Sequence, residues 1–81
     1  MKIYGTVLCG DCRDCKNDLD EAGIDYNFLD ITQDLQNLKE FLKIRDTNPL
    51  FQEVKENGGI GIPCIIKDDG EVTLDWKELL N

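Results

Sequence analysis

The sequence contains no histidine, so chemistry that depends on an imidazole base or ligand is excluded. It also lacks any run of about 18 apolar residues, the length that marks a membrane-spanning helix. Its first residues carry a single lysine and no small-residue cleavage site after a long apolar segment. We therefore expect no signal peptide, no membrane partner and a cytoplasmic location.

Basic residues are scarce: nine lysines and arginines stand against 17 acidic residues, which gives a net charge of −8. Phosphate backbones and anionic lipid surfaces repel such a protein, so we expect no nucleic-acid partner. At 81 residues, the chain is long enough for one modest core and too short for two. We expect a single domain over residues 1–81, and a monomer.

Four cysteines are present, although the cytoplasm keeps ordinary thiols reduced. In such a chain, cysteines are more often catalytic or metal-binding than structural. Cys9 and Cys12 form a Cys-x-x-Cys pair at the point where an apolar run gives way to a charged, helix-forming sequence. The unpaired N–H groups and the macrodipole of a helix N-terminus favour a thiolate on the first cysteine. Between a strand and a helix, this pattern indicates a thioredoxin-like redox pair.

The hydrophobic pattern predicts an α/β chain with the order β-α-β-α-α-β-β-α. The first strand, residues 2–8, includes Ile3, Val7 and Leu8 and reads as a buried central strand. Thr32 is the expected N-cap of the second helix, and Asn48-Pro49 begins a short third helix that carries Leu50 inward. The remaining elements are a helix over 11–22, a strand over 25–31, helices ending near 45 and 57, strands over 60–67 and 71–74, and a final helix over 76–80.

This combination of motifs resembles the glutaredoxins of the thioredoxin-fold superfamily. The features that carry the resemblance are the Cys9–Cys12 pair, residues 23–26 leading to Asp30-Ile31, and Gly61-Ile62-Pro63 before a terminal hairpin. The resemblance covers nearly the whole chain. It implies a four-stranded mixed sheet flanked by helices, a redox-active disulfide, and a cis peptide bond between Ile62 and Pro63 that faces the thiols.

The position of Cys9 at a helix start predicts roles for the two thiols, and the resemblance adds Ile62 and Pro63 as substrate contacts. Cys9 is expected to be the nucleophile that forms a mixed disulfide, and Cys12 the thiol that resolves it. Gly10, Asp11, Ile62 and Pro63 are the expected substrate-binding residues. No resident cofactor is expected; the partners are a disulfide-containing protein or a low-molecular-weight thiol, with glutathione or a reductase as the electron donor.

Three positions depart from the glutathione-dependent members of that family. They usually have a lysine three residues before the first cysteine, Cys-Pro-Tyr-Cys at the redox pair, and Gly-Gly before an acidic helix cap. Here Thr6 replaces the lysine, Asp11 lies inside the pair, and residues 73–75 read Thr-Leu-Asp. Because glutathione carries two carboxylates, these changes predict weaker glutathione binding.

A different class of function is a metal or iron–sulfur binding module. Cys9, Cys12 and Cys15 would supply thiolate ligands, with Cys64 as a fourth candidate. Three cysteines at every third position of one helix are spread over about a third of its circumference and about 9 Å of its length, so closing such a site around one ion requires unwinding the helix start and turning Cys64 toward it. In the absence of metal, we expect Cys15 and Cys64 to be small core hydrophobes.

Overall fold

Four short strands form one mixed sheet in the computed structural model, which describes residues 1–80. The strands are β1 (Lys2–Gly5), β2 (Asn27–Asp30), β3 (Cys64–Ile66) and β4 (Val72–Thr73). Their spatial order is β2-β1-β3-β4. β1 is parallel to β2 and antiparallel to β3, while β3 and β4 form an antiparallel hairpin. The predicted α/β class with a four-stranded mixed sheet is confirmed.

Helices connect and cover these strands. They are α1 (Gly10–Glu21), α2 (Leu35–Thr47), a 3₁₀ turn at Pro49–Phe51 that runs directly into α3 (Gln52–Glu56), and a C-terminal 3₁₀ helix at Trp76–Leu80. The last element was predicted as a helix and is present in its tighter 3₁₀ form. No helix within residues 1–80 combines the length and apolar character needed to span a membrane.

The sheet separates two cores, because successive residues of a strand point to opposite faces. Ile3 packs with Cys15 and Leu19 of α1 on one face. Tyr4 packs with Phe41 of α2 and Phe51 on the other face. β3 contributes in the same alternating way: Ile65 belongs to the first core and Cys64 to the second. The chain is therefore a three-layer arrangement, with helices on both faces of the sheet.

The first strand ends earlier than the sequence predicts. It stops at Gly5, and the chain turns so that the Cys9 N–H donates to the Thr6 carbonyl oxygen at 3.1 Å. Val7 and Leu8 consequently lie 46% and 76% exposed, so the prediction that they are buried strand residues was wrong. The turn therefore leaves these two apolar side chains on the surface, immediately before the Cys9–Cys12 pair.

Two smaller predictions were also wrong. Asp34, rather than Thr32, caps α2: its carboxylate accepts the Gln36 N–H at 2.8 Å. Asn48 does cap the following turn, but Leu50 is 45% exposed while its neighbour Phe51 is fully buried. Adjacent side chains of a 3₁₀ turn point about 120° apart, so only one of these two neighbours faces the core.

Candidate active site

Cys9 is the N-cap of α1. Its backbone is extended, and its sulfur accepts the N–H of Cys12 at 3.4 Å. Its carbonyl oxygen accepts the N–H of Arg13 at 3.1 Å, which is the first hydrogen bond of the helix. The sulfur therefore lies at the positive end of a 12-residue helix, against an amide that has no carbonyl partner within that helix.

Cys9 alone among the four cysteines is partly exposed. Cys12, Cys15 and Cys64 have no exposed surface, and all four are free thiols. A dissolved disulfide or alkylating agent can therefore reach Cys9 while the other three are covered by the fold. The geometry distinguishes one accessible thiol from three buried ones.

Cys12 is held as a protonated thiol. Burial raises its pKa to about 12, a backbone hydrogen bond from Thr6 opposes this shift, and the neighbouring Cys9 reinforces it. Because the pKa of Cys12 lies far above neutral pH, chiefly through burial, this thiol stays protonated in the reduced protein. This difference in exposure and protonation suits a pair in which one thiol attacks a disulfide first and the other reacts in a later step.

The remaining two cysteines lie on opposite sides of the sheet. Burial, with a smaller contribution from Asp18, raises the pKa of Cys15 to about 11; burial raises that of Cys64 to about 12. Cys15 belongs to the core under α1, and Cys64 to the core under α2. Within residues 1–80, no group of three or more cysteine, aspartate or glutamate side chains is arranged to hold a metal ion. The fold thus separates two of the four thiols that a metal site would have to gather.

A small polar network fixes the loop that carries Cys9. The Thr6 and Thr32 hydroxyls are 3.1 Å apart, and Thr6 Oγ1 accepts the N–H of Leu8 at 3.2 Å. The carboxylate of Asp30 accepts both the N–H and the hydroxyl of Thr32, at 2.8 and 2.6 Å. Partial burial alone would raise the pKa of Asp30, but hydrogen bonds from Thr32, Val7 and Thr6 lower it below its ordinary value. The end of β2 is therefore tied to the loop after β1.

An apolar groove opens beside Cys9. Its volume is about 620 Å³, and its lining consists of Thr6, Leu8, Cys9, Thr32 and residues 58–62. No lining residue carries a formal charge. Leu8 and Ile60, at 76% and 57% exposed, are the most exposed apolar side chains among these residues. The groove is thus a mostly hydrophobic surface that is continuous with the accessible sulfur.

Arg45, near the end of α2, holds the far wall of the groove. Its Nε donates to the Ile60 carbonyl oxygen and its Nη2 to the Gly59 carbonyl oxygen, both at 2.8 Å. Two charge-assisted bonds from one planar guanidinium fix the direction of the peptide units they contact. The wall is therefore attached to α2 and is not a free loop.

The predicted substrate-binding residues divide into two groups. Ile62 lines the groove, and Pro63 lies buried behind it after a cis peptide bond, as the resemblance implies. Gly10 and Asp11 are exposed in the first turn of α1 but do not line the groove. The structure therefore brings Cys9, Cys12 and Ile62 into one region and leaves Gly10 and Asp11 at its margin.

Sequence reasoning missed the groove wall at residues 58–60, the exposed Leu8 and the clamp from Arg45. The prediction of a strand over 60–67 was wrong for residues 60–63, because β3 begins only at Cys64. Residues 58–62 instead line the groove, and the glycines at 58, 59 and 61 favour such an irregular backbone. Nothing in the sequence pairs Arg45 with carbonyl groups 14 and 15 residues away. Contacts of this kind depend on how α2 packs, so only the structure supplies them.

Comparison with known proteins places the chain in a family. A protein of Haemophilus influenzae, described as an uncharacterized protein, is 38% identical over 77 residues, which span 95% of this chain and 90% of that relative. The chain belongs to the same family as that protein. No family model matches the chain, and no solved structure matches it. Similarity to this relative assigns no activity, so the evidence for function comes from the site.

Proposed function

We propose that this protein is a glutaredoxin-like thiol–disulfide oxidoreductase with a thioredoxin fold. The observation that best supports this proposal is the position of Cys9. It alone is accessible among the four thiols, and it caps a helix beside an apolar groove. The strand order and the parallel and antiparallel pairings support the thioredoxin fold, because that fold has a four-stranded mixed sheet between helices. The proposed activity fits a cytoplasmic protein, because the cytoplasm supplies thiol reductants.

The reaction takes place in two exchanges. The Cys9 thiolate attacks one sulfur of the substrate disulfide, forming a Cys9–substrate disulfide and releasing the other sulfur as a thiolate. Cys12 then loses its proton to this thiolate or to solvent and attacks Cys9 Sγ. The Cys9–Cys12 disulfide forms, and the second substrate thiolate leaves and takes up a proton. Two electrons have moved from the protein dithiol to the substrate, whose disulfide becomes two thiols.

The raised pKa of Cys12 suits the resolving role. A thiol with a pKa of about 12 is almost entirely protonated at neutral pH, so it does not compete with Cys9 for the incoming disulfide. Once Cys9 is bound in a mixed disulfide, its negative charge is gone and this contribution to the Cys12 pKa disappears. Resolution is therefore favoured only after the first exchange has occurred.

An external thiol has to return the oxidised protein to its dithiol form. Glutathione or a protein reductase are the two classes of electron donor consistent with the proposed chemistry. We expect glutathione mixed disulfides to be poor substrates, because Thr6 is buried in the network with Thr32 and the groove has no cation among its lining residues. Turnover can be compared directly with that of a glutathione-dependent glutaredoxin. Efficient, saturable turnover at physiological glutathione would show that this expectation is wrong.

The decisive experiment is a redox titration of protein purified without air, after its thiols and any metal have been counted. We expect a reversible Cys9–Cys12 disulfide, identified by peptide mapping, with a potential of roughly −200 to −230 mV. Failure to form this intramolecular disulfide under mild oxidants contradicts the proposed function.

Three variants test which thiol performs which step of the exchange. Cys9→Ser should abolish exchange, because serine is far less acidic than cysteine. Cys12→Ser should accumulate the mixed disulfide, visible by mass, and Cys15→Ala should leave exchange nearly intact. If Cys15→Ala loses activity together with bound metal or colour while Cys9→Ser retains exchange, the metal-module alternative replaces the enzyme.

A further inference from the structure

The groove beside Cys9 has the size of a ligand site and an unusual lack of charge. Its volume of about 620 Å³ falls within the roughly 300–1,000 Å³ typical of small-molecule and peptide-side-chain pockets. In a chain with 32% charged residues, none of the groove-lining residues is charged. Leu8 and Ile60 project from its two sides and remain more than half exposed. Two exposed apolar side chains next to an accessible nucleophile indicate that the groove is covered by the substrate itself.

The charge of the protein restricts what that substrate can be. The chain carries a net charge of −8, so an anionic ligand meets an unfavourable potential as it approaches. Arg45 is the cation attached to the groove wall, and its guanidinium is already bonded to the Gly59 and Ile60 carbonyl oxygens. A carboxylate seated against the groove lining would lose hydration, and the lining residues include no lysine or arginine to pair with it. An uncharged apolar group would instead bury its surface against the mostly apolar lining.

We propose that the groove binds an apolar side chain adjacent to the substrate's cysteine. The substrate class is therefore a disulfide-bonded polypeptide whose cysteine lies in an apolar, carboxylate-free sequence, in preference to glutathione. This inference rests on the proposed function, because it assumes that Cys9 is the attacking thiol. Arg45 contributes by holding the groove wall in place before the substrate arrives, which lowers the ordering cost of binding.

Two peptide probes test the substrate class. Each contains one cysteine joined in a disulfide to thionitrobenzoate, a thiol whose release is coloured; one probe has leucine on both sides of the cysteine and the other has glutamate. Release rates are divided by those measured with dithiothreitol alone, which removes differences in intrinsic reactivity. With the reduced protein in excess, so that its own dithiol supplies the two electrons, we expect the second-order rate constant for the leucine probe to exceed that for the glutamate probe by about tenfold or more.

A pair of charge-matched variants tests whether the groove is responsible. Ile60→Lys introduces a cation at the 57% exposed groove rim, so the leucine preference should fall about tenfold and the glutamate probe should improve. Leu42→Lys adds the same charge at an exposed apolar position of α2 that does not line the groove, so its probe ratio should equal that of the natural protein. Both substitutions are at exposed positions, where lysine is well tolerated.

The outcomes distinguish a failure of the oxidoreductase function from a failure of the proposed substrate class. Release from neither probe, although iodoacetamide labels Cys9, contradicts the proposed oxidoreductase function and this inference with it. Equal normalised rates for the two probes leave the oxidoreductase function standing and overturn the substrate class. An equal change of the ratio in Ile60→Lys and Leu42→Lys also overturns it, because overall charge and not the groove would then set the preference.

Discussion

Replacing Gly61 with alanine tests how tightly the groove wall is packed on the core. Gly61 has φ of +97°, a conformation that costs an L-residue roughly 1–2 kcal/mol. A Cβ at this position would lie 2.7 Å from two ring carbons of Phe51, which is fully buried and cannot easily give way. Overpacking of a buried site adds about 1–3 kcal/mol. We therefore expect Gly61→Ala to lower the free energy of unfolding by about 2–5 kcal/mol.

Gly70→Ala is the matched control for this substitution. Gly70 has a similar φ of +88°, but a Cβ there meets no atom within 4 Å. It should lose only the conformational part, about 1–2 kcal/mol. Urea unfolding of both variants, with the slope checked for constancy, gives the two free energies. Equal losses for Gly61→Ala and Gly70→Ala would refute the claim that Phe51 presses against the groove wall.

Three further predictions follow from contacts around the site. Arg45→Met should lower the free energy of unfolding by about 1–3 kcal/mol, because it leaves two carbonyl oxygens without their charged donor; Arg45→Lys should recover part of the loss in the same urea assay. Asp30 has a lowered pKa, so its stabilising effect is present above the ordinary value of 3.8 and is lost as pH falls below it. Acid titrations of Asp30→Asn should accordingly show a weaker loss of stability below about pH 4 than the natural protein. Cys15→Ala should cost about 1 kcal/mol through lost packing, with thiol exchange retained; a loss of exchange would contradict the core role of Cys15.

The sequence was sufficient to predict the order of strands along the chain and the position of the accessible thiol. Cys9 precedes a helix whose apolar stripe, with Cys12, Cys15 and Leu19, is visible in the 3.6-residue periodicity. The end of α1 was equally predictable, because a glycine followed by an apolar residue is a common helix C-terminal signal. The structure shows the matching hydrogen bond, from the Ile24 N–H to the Leu19 carbonyl oxygen. Local chemistry determines these features, so local sequence reveals them.

The groove could not be predicted, because it forms where the backbone departs from the hydrophobic pattern of the sequence. Val7 and Leu8 continue an apolar run, yet the hydrogen bonds of Thr6 turn the chain out of the sheet before them. The opposite wall depends on Arg45 reaching across from α2. Exposed apolar residues and long-range side-chain bonds both violate the simple rules of burial and periodicity. Departures of this kind are expected at functional sites.

The placement of Cys15 and Cys64 in separate cores gives the protein two internal reporters of its own opening. Each thiol reacts with a labelling reagent only when the layer covering it moves away, so its labelling rate measures the free energy of that local opening. Cys15 reports on the layer of α1, and Cys64 on the layer of α2. Equal rates would mean that both layers detach in one cooperative event. A faster Cys64 would show that the side carrying the groove wall opens independently, while α1, which is capped by Cys9, stays in place.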